Sequence, residues 1–158
     1  MFSCPVNPDV EQFLIKKSIR FEESDNARTY FVLNQCNGEI LAYFSLSFKE
    51  ISFAESGLSK SQIKKLDGIS KDAKTVRTYL IGQIAKNFAI ENNEINLNYL
   101  LKEIYTIISI AKDLIGGRTI ILECENIDSL IKLYENHGFK RINIESPDEL
   151  ITMYSHIK

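Results

Sequence analysis

The cysteine and histidine side chains of this chain are few and scattered. The three cysteines, Cys4, Cys36 and Cys124, lack C-x-x-C spacing, and the two histidines, His137 and His156, are far apart in the sequence. A protein metal site needs clustered ligands. The sequence therefore predicts no metal site, and we interpret the cysteines as reduced structural residues of a cytosolic protein.

A second group of polar residues, the run FAIENNEIN, lies between two apolar segments. The segment before it, Val76–Ala85, is apolar enough to be a strand buried on both faces. After it, apolar residues recur on one face of a predicted long helix: Leu97, Leu100, Leu101, Ile104, Ile107, Ile108, Ala111, Leu114 and Ile115. Gly116-Gly117 ends this helix.

Tyr134 lies in the segment YENHGF, near the end of a predicted helix. That helix follows a predicted strand at Arg118–Cys124, begins with Asp128 as its cap, and ends at Gly138. From its spacing alone, Tyr134 is a half-buried aromatic residue at a helix end. Two further strands are predicted after it, at Lys140–Glu145 and Leu150–Ile157.

The front of the chain predicts a helix and a hairpin. Asn7-Pro8-Asp9 is a typical helix start, and we expect this helix to run to about Arg20. A strand at 28–34, an Asn37-Gly38 turn and a return strand at 39–48 follow. Residues 49–75 are polar and rich in lysine, with a short helix at Ser61–Leu66 that Gly68 ends. We interpret the lysine-rich segment 60–74 as a solvated face in preference to an RNA site.

Composition indicates one globular domain, residues 1–158, of the mixed α/β (α+β) class, with helices on both faces of a central sheet. Apolar residues make up 44% of the chain and charged residues 25%, and the net charge is −2. This charge is not typical of a general nucleic-acid binder. No apolar run is long enough to span a membrane, and the first residues do not resemble a signal peptide, so we expect a cytoplasmic protein.

The order of these elements, together with LIKLYENHGFKRI near the end, resembles the GNAT acetyltransferase superfamily. DVEQFLIKKSI, ARTYFVL and NGEILAYFSLS are similar to the first helix and strands of a bacterial branch of that superfamily. YLIGQIAKN fits its central strand. The resemblance covers essentially the whole chain. It implies a GNAT-like domain that uses acetyl-CoA as co-substrate and needs no metal.

The chain departs from the superfamily at the loop that holds the pyrophosphate of coenzyme A. Glycines in that loop let backbone N–H groups approach the phosphates at a helix N-terminus. The corresponding residues here contain no glycine: Asn92, Asn93, Glu94, Ile95 and Asn96. Asparagine tolerates positive φ better than most residues, so it can imitate the missing glycine, and Asn93→Gly should be tolerated. Glu91 and Glu94 are unfavourable near a pyrophosphate.

The resemblance also assigns catalytic roles. Backbone N–H groups around Ile84, Ala85 and Lys86 would bind the thioester, with the pantetheine arm lying along this strand. Tyr134 would donate a proton to the leaving thiolate, since a phenol titrates near pH ~10. An asparagine such as Asn126 often touches coenzyme A, although a turn or helix-capping role is an equal alternative.

No side chain is an evident general base. The central strand offers Gln83 and Lys86, and Glu123 on the next strand is the nearest carboxylate, interpreted as surface- or loop-facing. An α-amine, whose pKa is about 8, needs little help because some of it is already neutral. His137, beside Gly138, is interpreted as compensating the dipole at a helix C-terminus.

The function implied by the resemblance is acetyl transfer from acetyl-CoA to an amine. The acceptor is an amine-bearing small molecule, a protein or an aminoacyl-tRNA, and a homodimer is left open. The alternative is a toxin-like enzyme that acetylates aminoacyl-tRNA; the charge balance argues against it. A third hypothesis is a non-catalytic interaction module that has lost coenzyme A binding.

Overall fold

The structure is a computed structural model that describes residues 1–54, 56–144 and 149–157. Helices and strands alternate along the chain. In order they are α1 (Pro8–Lys16), α2 (Ser18–Glu23), β1 (Arg28–Leu33), β2 (Ile40–Ser52), α3 (Lys60–Asp67), β3 (Thr75–Lys86), α4 (Leu97–Ile115), β4 (Thr119–Cys124), α5 (Asp128–Asn136), β5 (Lys140–Ile142) and β6 (Ile151–His156).

The strands form a six-stranded sheet in the order β1-β2-β3-β4-β6-β5. β1 pairs with β2 in antiparallel register, and β6 is antiparallel to both of its neighbours, β4 and β5. β3 and β4 are neighbours although a helix separates them in sequence. The predicted class, a mixed α/β sheet flanked by helices, is confirmed.

The backbone divides into two compact units, and the first comprises Met1–Ser47 and Ile81–Thr106. Its core is formed by apolar residues of α1, the chain start and two strands: Phe2, Cys4, Val10, Phe13, Tyr43 and Ala85. In the β1–β2 hairpin, Gly38 takes φ +73°, and its N–H donates to Asn34 O over 2.8 Å. The predicted Asn37-Gly38 turn is therefore confirmed.

The start of α1 is as predicted, but its end is not. Asn7 caps the helix by accepting the N–H of Asp9, and Pro8 is its first residue. The prediction of one helix to Arg20 is wrong, because α1 ends at Lys16 and α2 begins at Ser18. The Ser18 hydroxyl donates to Leu14 O over 2.6 Å. A hydroxyl bonded in this way to the preceding turn favours a bend in the helix.

The second unit comprises Phe48–Leu80 and Ile107–Lys158. Its core contains residues of β2, α3, β4 and β5 and of the segment after β2: Ile51, Phe53, Leu66, Ile121 and Ile142. α3 begins with a capping box between Ser59 and Gln62 and ends at Gly68, where φ is +94°. The short helix predicted in the lysine-rich segment is thus present and slightly longer than expected.

Gly116 and Gly117 end α4, as predicted, and the structure explains why glycine is needed at Gly117. Its φ is +99°, and a Cβ added there would lie 2.6 Å from the Tyr79 ring. The Tyr79 hydroxyl donates to Gly116 O. A side chain at Gly117 would therefore meet both backbone strain and a steric clash. Among the described residues, no helix is long and apolar enough to cross a membrane.

Three predicted boundaries are corrected. Ile127, not Asp128, is the N-cap of α5, so Asp128 is the first helical residue, where an acid still favours the helix dipole. β2 continues to Ser52 instead of ending at Phe48. β5 ends at Ile142, and the predicted strand end at Glu145 lies outside the described residues.

Candidate active site

The C-terminal end of β3, which carries Ile84, Ala85 and Lys86, is fixed by side chains of the first unit. Ala85 is buried in the core of that unit, and Ile84 and Lys86 are half-buried. The Lys86 ammonium donates to Asn93 O. The end of the strand is thereby tied to the loop in which a pyrophosphate site was predicted.

Asn87, which the sequence analysis did not single out, closes the end of β3. It is 3% exposed, and its backbone N–H donates to Leu41 O over 2.8 Å. Its side-chain amide donates to Ile40 O over 2.8 Å and accepts the N–H of Ser3 over 3.0 Å. An asparagine directly after a predicted strand is the signal that could have identified it, because such residues often satisfy backbone groups.

The left-handed residue of the loop is Asn92, with φ +55°. The expectation that the loop would use asparagine in place of glycine is met, but at Asn92 and not at Asn93. Asn93 has a different task. Its side-chain NH2 donates to Leu41 O over 2.8 Å and to Asn87 O over 3.0 Å, and its side-chain Oδ1 accepts the N–H of Ile95 over 3.1 Å.

These contacts correct the argument that Asn93 merely imitates a glycine. The Asn93 side chain joins the loop to the chain segments at Leu41 and Asn87, and glycine could not do so. The prediction that Asn93→Gly is tolerated is therefore withdrawn, and the same substitution is now expected to be tolerated at Asn92.

Asn96 is the cap of α4. Its side-chain oxygen accepts the N–H of Tyr99 over 3.0 Å, and its backbone carbonyl accepts the N–H of Leu100 over 3.2 Å. Glu91 and Glu94 are exposed. Solvent therefore screens their charges, which weakens their repulsion of a bound phosphate.

Tyr134, in the second unit, is 8% exposed and packs edge-on against Phe139, with ring centroids 6.0 Å apart. Within the described part of the chain, its hydroxyl has no hydrogen-bond partner, and its oxygen is not among the fully enclosed unpaired atoms, so it keeps contact with solvent. Burial, and to a smaller extent the nearby Cys124, raises the pKa of Tyr134 to about 12. The phenol is therefore fully protonated at neutral pH and is more buried than the half-buried residue expected from spacing.

Glu123 is not available as a base. It is 18% exposed, and its carboxylate forms a 2.6 Å ion pair with the Lys49 ammonium. Glu123 is half-buried, and thus more enclosed than the surface- or loop-facing residue expected from the sequence. The partner could not be found from sequence, because the two residues are 74 positions apart.

Asn126 and His137 lie on either side of α5. Asn126 is exposed in the bend before the helix, and Ile127 takes the cap position, so the helix-capping alternative for Asn126 is excluded. His137 follows the last turn, with Nδ1 2.7 Å from Leu133 O. This position is the one expected for a residue that compensates the helix C-terminus.

The cysteines are free: Cys4 and Cys124 are buried, whereas Cys36 is exposed and so has no structural role in a core. Burial raises the pKa values of the Cys4 and Cys124 thiols. In the residues that the structure describes, no three His, Cys, Asp or Glu side chains are grouped to hold a metal ion.

Comparison with known proteins gives relatives in structure but not in sequence. No family model matches the chain, and no curated protein is a significant match. Among solved structures, AtaT complexed with acetyl-methionyl-tRNAfMet superimposes with a TM-score of 0.73 at 18% identity, covering 98% of this chain and 85% of AtaT.

Two further neighbours are similar over the same extent. A tyrosine-to-phenylalanine mutant of KacT gives a TM-score of 0.74 at 16% identity, covering 99% of this chain and 85% of KacT. AtaTR bound with acetyl-CoA gives a TM-score of 0.71 at 16% identity, covering 99% of this chain and 84% of the AtaTR chain. The chain thus has the fold of the AtaT and KacT structures, the GNAT-like α/β fold that its sequence predicts.

Proposed function

We propose that this chain is an acetyl-CoA-dependent N-acetyltransferase of the GNAT superfamily, and that its acceptor is the α-amine of an aminoacyl-tRNA. The observation that carries the proposal is the likeness in fold, over nearly the whole chain, to AtaT in complex with acetyl-methionyl-tRNAfMet. The charge balance, which counted against this acceptor in the sequence, describes the whole chain and says little about any one surface.

Acetyl-CoA would be held by the first unit. Asn92, with its positive φ, and the capped start of the 19-residue helix α4 supply features that favour phosphate binding. The pantetheine arm would lie along Ile84–Lys86. The loop lacks glycine, but the Asn93 and Lys86 contacts hold its shape, so the departure from the family pattern does not argue against binding.

Tyr134 is proposed as the proton donor. In the reaction, the neutral amine attacks the thioester carbonyl carbon, the C–S bond breaks, and the leaving thiolate takes a proton. The Tyr134 phenol is protonated at neutral pH and its hydroxyl has no described hydrogen-bond partner, so it has a proton available for the thiolate. That KacT was studied as a tyrosine-to-phenylalanine mutant supports examining this residue type first.

The acceptor class is proposed from the described residues considered as general bases. Glu123 is engaged by Lys49, and Gln83 and Lys86 are not natural bases. A lysine side chain, with a pKa near 10.4, would need such a base, whereas an α-amine near pKa 8 needs only transfer of a proton to water. An aminoacyl-tRNA presents an α-amine.

The test is acetyl transfer from radiolabelled acetyl-CoA to bulk aminoacyl-tRNA, with deacylated tRNA as the matched control. We expect label in the aminoacyl fraction only. If the enzyme acetylated small amines but not aminoacyl-tRNA, the proposed acetyltransferase activity would stand and the proposed acceptor would be wrong. If calorimetry detected no heat with acetyl-CoA at high micromolar concentration, the non-catalytic interaction module would replace the proposal.

A further inference from the structure

The end of β6 is a meeting point for several elements of the second unit. His156, the last residue of β6, is paired with Thr119 of β4. The Thr119 hydroxyl lies 3.4 Å from His156 Nδ1 and 3.3 Å from Leu66 O, near the end of α3. The imidazole therefore lies close to the last turn of α3.

Cationic side chains come to this point from α3 and from the residue before β4. Lys65 precedes Leu66 in the last turn of α3. The backbone carbonyl of Arg118 accepts the N–H of Ile157 over 2.9 Å. A Cβ added to Gly68 would be 2.3 Å from Nη1 of Arg118, so the guanidinium group lies against the end of α3.

Two more cations come from β5 and α4. Lys140 is paired with Tyr154, whose ring centroid is 5.6 Å from that of His156. The Lys112 ammonium donates to Ile157 O over 3.3 Å. We refer to Lys65, Lys112, Arg118, Lys140 and His156 as the His156 cluster.

Within the described residues, no carboxylate forms an ion pair with the cations of the cluster. Among the described residues, the ion pairs use Arg28, Lys49 and Lys60, and none of the cluster's cations takes part. Asp67, next to this end of α3, accepts the N–H groups of Ile69 and Ser70. Burial first, and then the charge of Arg118, with smaller effects of Lys140 and Lys65, lowers the pKa of His156.

A purely structural explanation covers only part of this arrangement. Cations near the C-terminal end of a helix compensate its dipole, which accounts for Lys65 and Arg118 beside α3. It does not account for Lys140, which is exposed on another element. Like charges gathered without a counter-charge destabilise a fold unless an anion binds them.

We propose that the His156 cluster binds the phosphodiester backbone of RNA, and thus holds the body of the tRNA whose aminoacyl end is acetylated. The identity of the RNA rests on the proposed function. Exposed lysine and arginine side chains spread over several elements match a row of phosphates better than one enclosed phosphate. Because the chain as a whole carries a charge of −2, such binding requires a local cluster.

The test measures binding of a fluorescent RNA hairpin with the single-stranded 3′ end of a tRNA acceptor stem. The variant is Lys65→Gln with Lys140→Gln. Its control is Lys71→Gln with Lys74→Gln, which changes the net charge equally at exposed residues of the same unit. We expect the cluster variant to bind about tenfold more weakly at low salt and its salt slope to fall by about 2, with the control unchanged.

The pKa of His156 is a second quantity to measure, because RNA would not change it if the cluster had only a structural role. Bound phosphates stabilise the protonated imidazole, so saturating RNA should raise the pKa of His156 in an NMR titration. By linkage, the hairpin should bind more tightly as pH falls through the range in which His156 is protonated. The groups that surround the imidazole are Lys65, Lys112, Arg118, Lys140, Thr119 and Tyr154.

Several outcomes would overturn the inference: no RNA binding by the wild type, an equal loss of RNA affinity in both double variants, or no change in the pKa of His156 when RNA binds. So would binding of a polyglutamate peptide in place of RNA, which would make the cluster a protein surface. Calorimetry with acetyl-CoA distinguishes a failure of this inference from a failure of the proposed function. The first unit should bind acetyl-CoA equally well in every variant even if the cluster does not bind RNA.

Discussion

Tyr43 and Tyr134 are both buried phenols, but their hydroxyl groups differ. The Tyr43 hydroxyl donates to Val10 O, whereas that of Tyr134 has no partner among the residues described. A buried tyrosine with a structural role usually has its hydroxyl bonded. The difference supports a structural role for the Tyr43 hydroxyl, whereas the Tyr134 oxygen is not fully enclosed and can bond to water.

Tyr134→Phe is expected to lower kcat for acetyl transfer by ~10²–10⁴-fold, the usual contribution of a general acid. Acetyl-CoA affinity and Tm should change little, because the substitution removes one oxygen that makes no described hydrogen bond. Steady-state kinetics with aminoacyl-tRNA measure the effect. Tyr30→Phe, on β1, serves as the control, and a Tyr134→Phe enzyme within about threefold of wild type would exclude general-acid catalysis.

The raised pKa values of the two phenols predict loss of stability at alkaline pH. In the unfolded chain a tyrosine ionises near pH ~10, whereas burial raises the pKa of Tyr134 to about 12 and that of Tyr43 further. The stability due to the buried neutral phenols is therefore complete below pH ~10. Above it, stability falls by about 1.4 kcal/mol per pH unit for each group until the folded pKa is reached.

Urea unfolding at several pH values checks this expectation. Tyr134→Phe should leave the free energy of unfolding at neutral pH nearly unchanged and make the alkaline decline shallower. Tyr43→Phe should also make it shallower, but should cost about 1–3 kcal/mol at neutral pH because Val10 O loses its donor. Parallel pH curves for all three proteins would contradict the burial argument.

At the scale of elements, the loop before α4 combines two solutions to the absence of glycine. One residue, Asn92, takes the left-handed conformation, and the next, Asn93, uses its side chain to hold the loop in place. Adjacent asparagines thus have opposite requirements: the first needs backbone freedom, and the second needs an amide.

Replacing each asparagine by glycine should therefore give opposite results. Asn92→Gly should retain acetyl-CoA affinity and stability, because glycine takes positive φ without strain. Asn93→Gly removes three hydrogen bonds, each worth about 0.5–1.5 kcal/mol net, so Tm should fall and acetyl-CoA should bind more weakly. Calorimetry and thermal unfolding of the pair measure both effects. Equal behaviour of the two variants would show that the side-chain contacts do not matter.

At the scale of the whole molecule, the two compact units share three elements. The backbones of β2, β3 and α4 each begin in one unit and end in the other. The prediction of a single domain over residues 1–158 depends on whether this continuity makes the units unfold together.

We expect one cooperative transition, because melting either unit would break the ladders of a strand that continues into the other. Hydrogen exchange followed by mass spectrometry at increasing urea measures this directly. Peptides from 81–106 and from 119–144 should become exchangeable at the same urea concentration. Separate midpoints would mean two domains.

Local patterns in the sequence were sufficient for most of the elements. The one-face apolar repeat of α4, the Asn37-Gly38 turn and the Asn7-Pro8 helix start each depend on residues within a few positions of one another. Helix periodicity, turn conformation and capping are properties of short segments, so they can be predicted without the fold. The break at Lys17 was missed because a helix-forming pattern continues across it.

Only the tertiary structure decided which side chains meet. Lys49 pairs with Glu123, Asn93 binds Leu41 O, and the His156 cluster gathers cations from α3, α4, β5 and the residue before β4 around His156 of β6. Such contacts depend on strand order and register, which join residues that are distant in sequence. A shift of register by one residue moves every side chain of a strand to its other face, so no local pattern determines them.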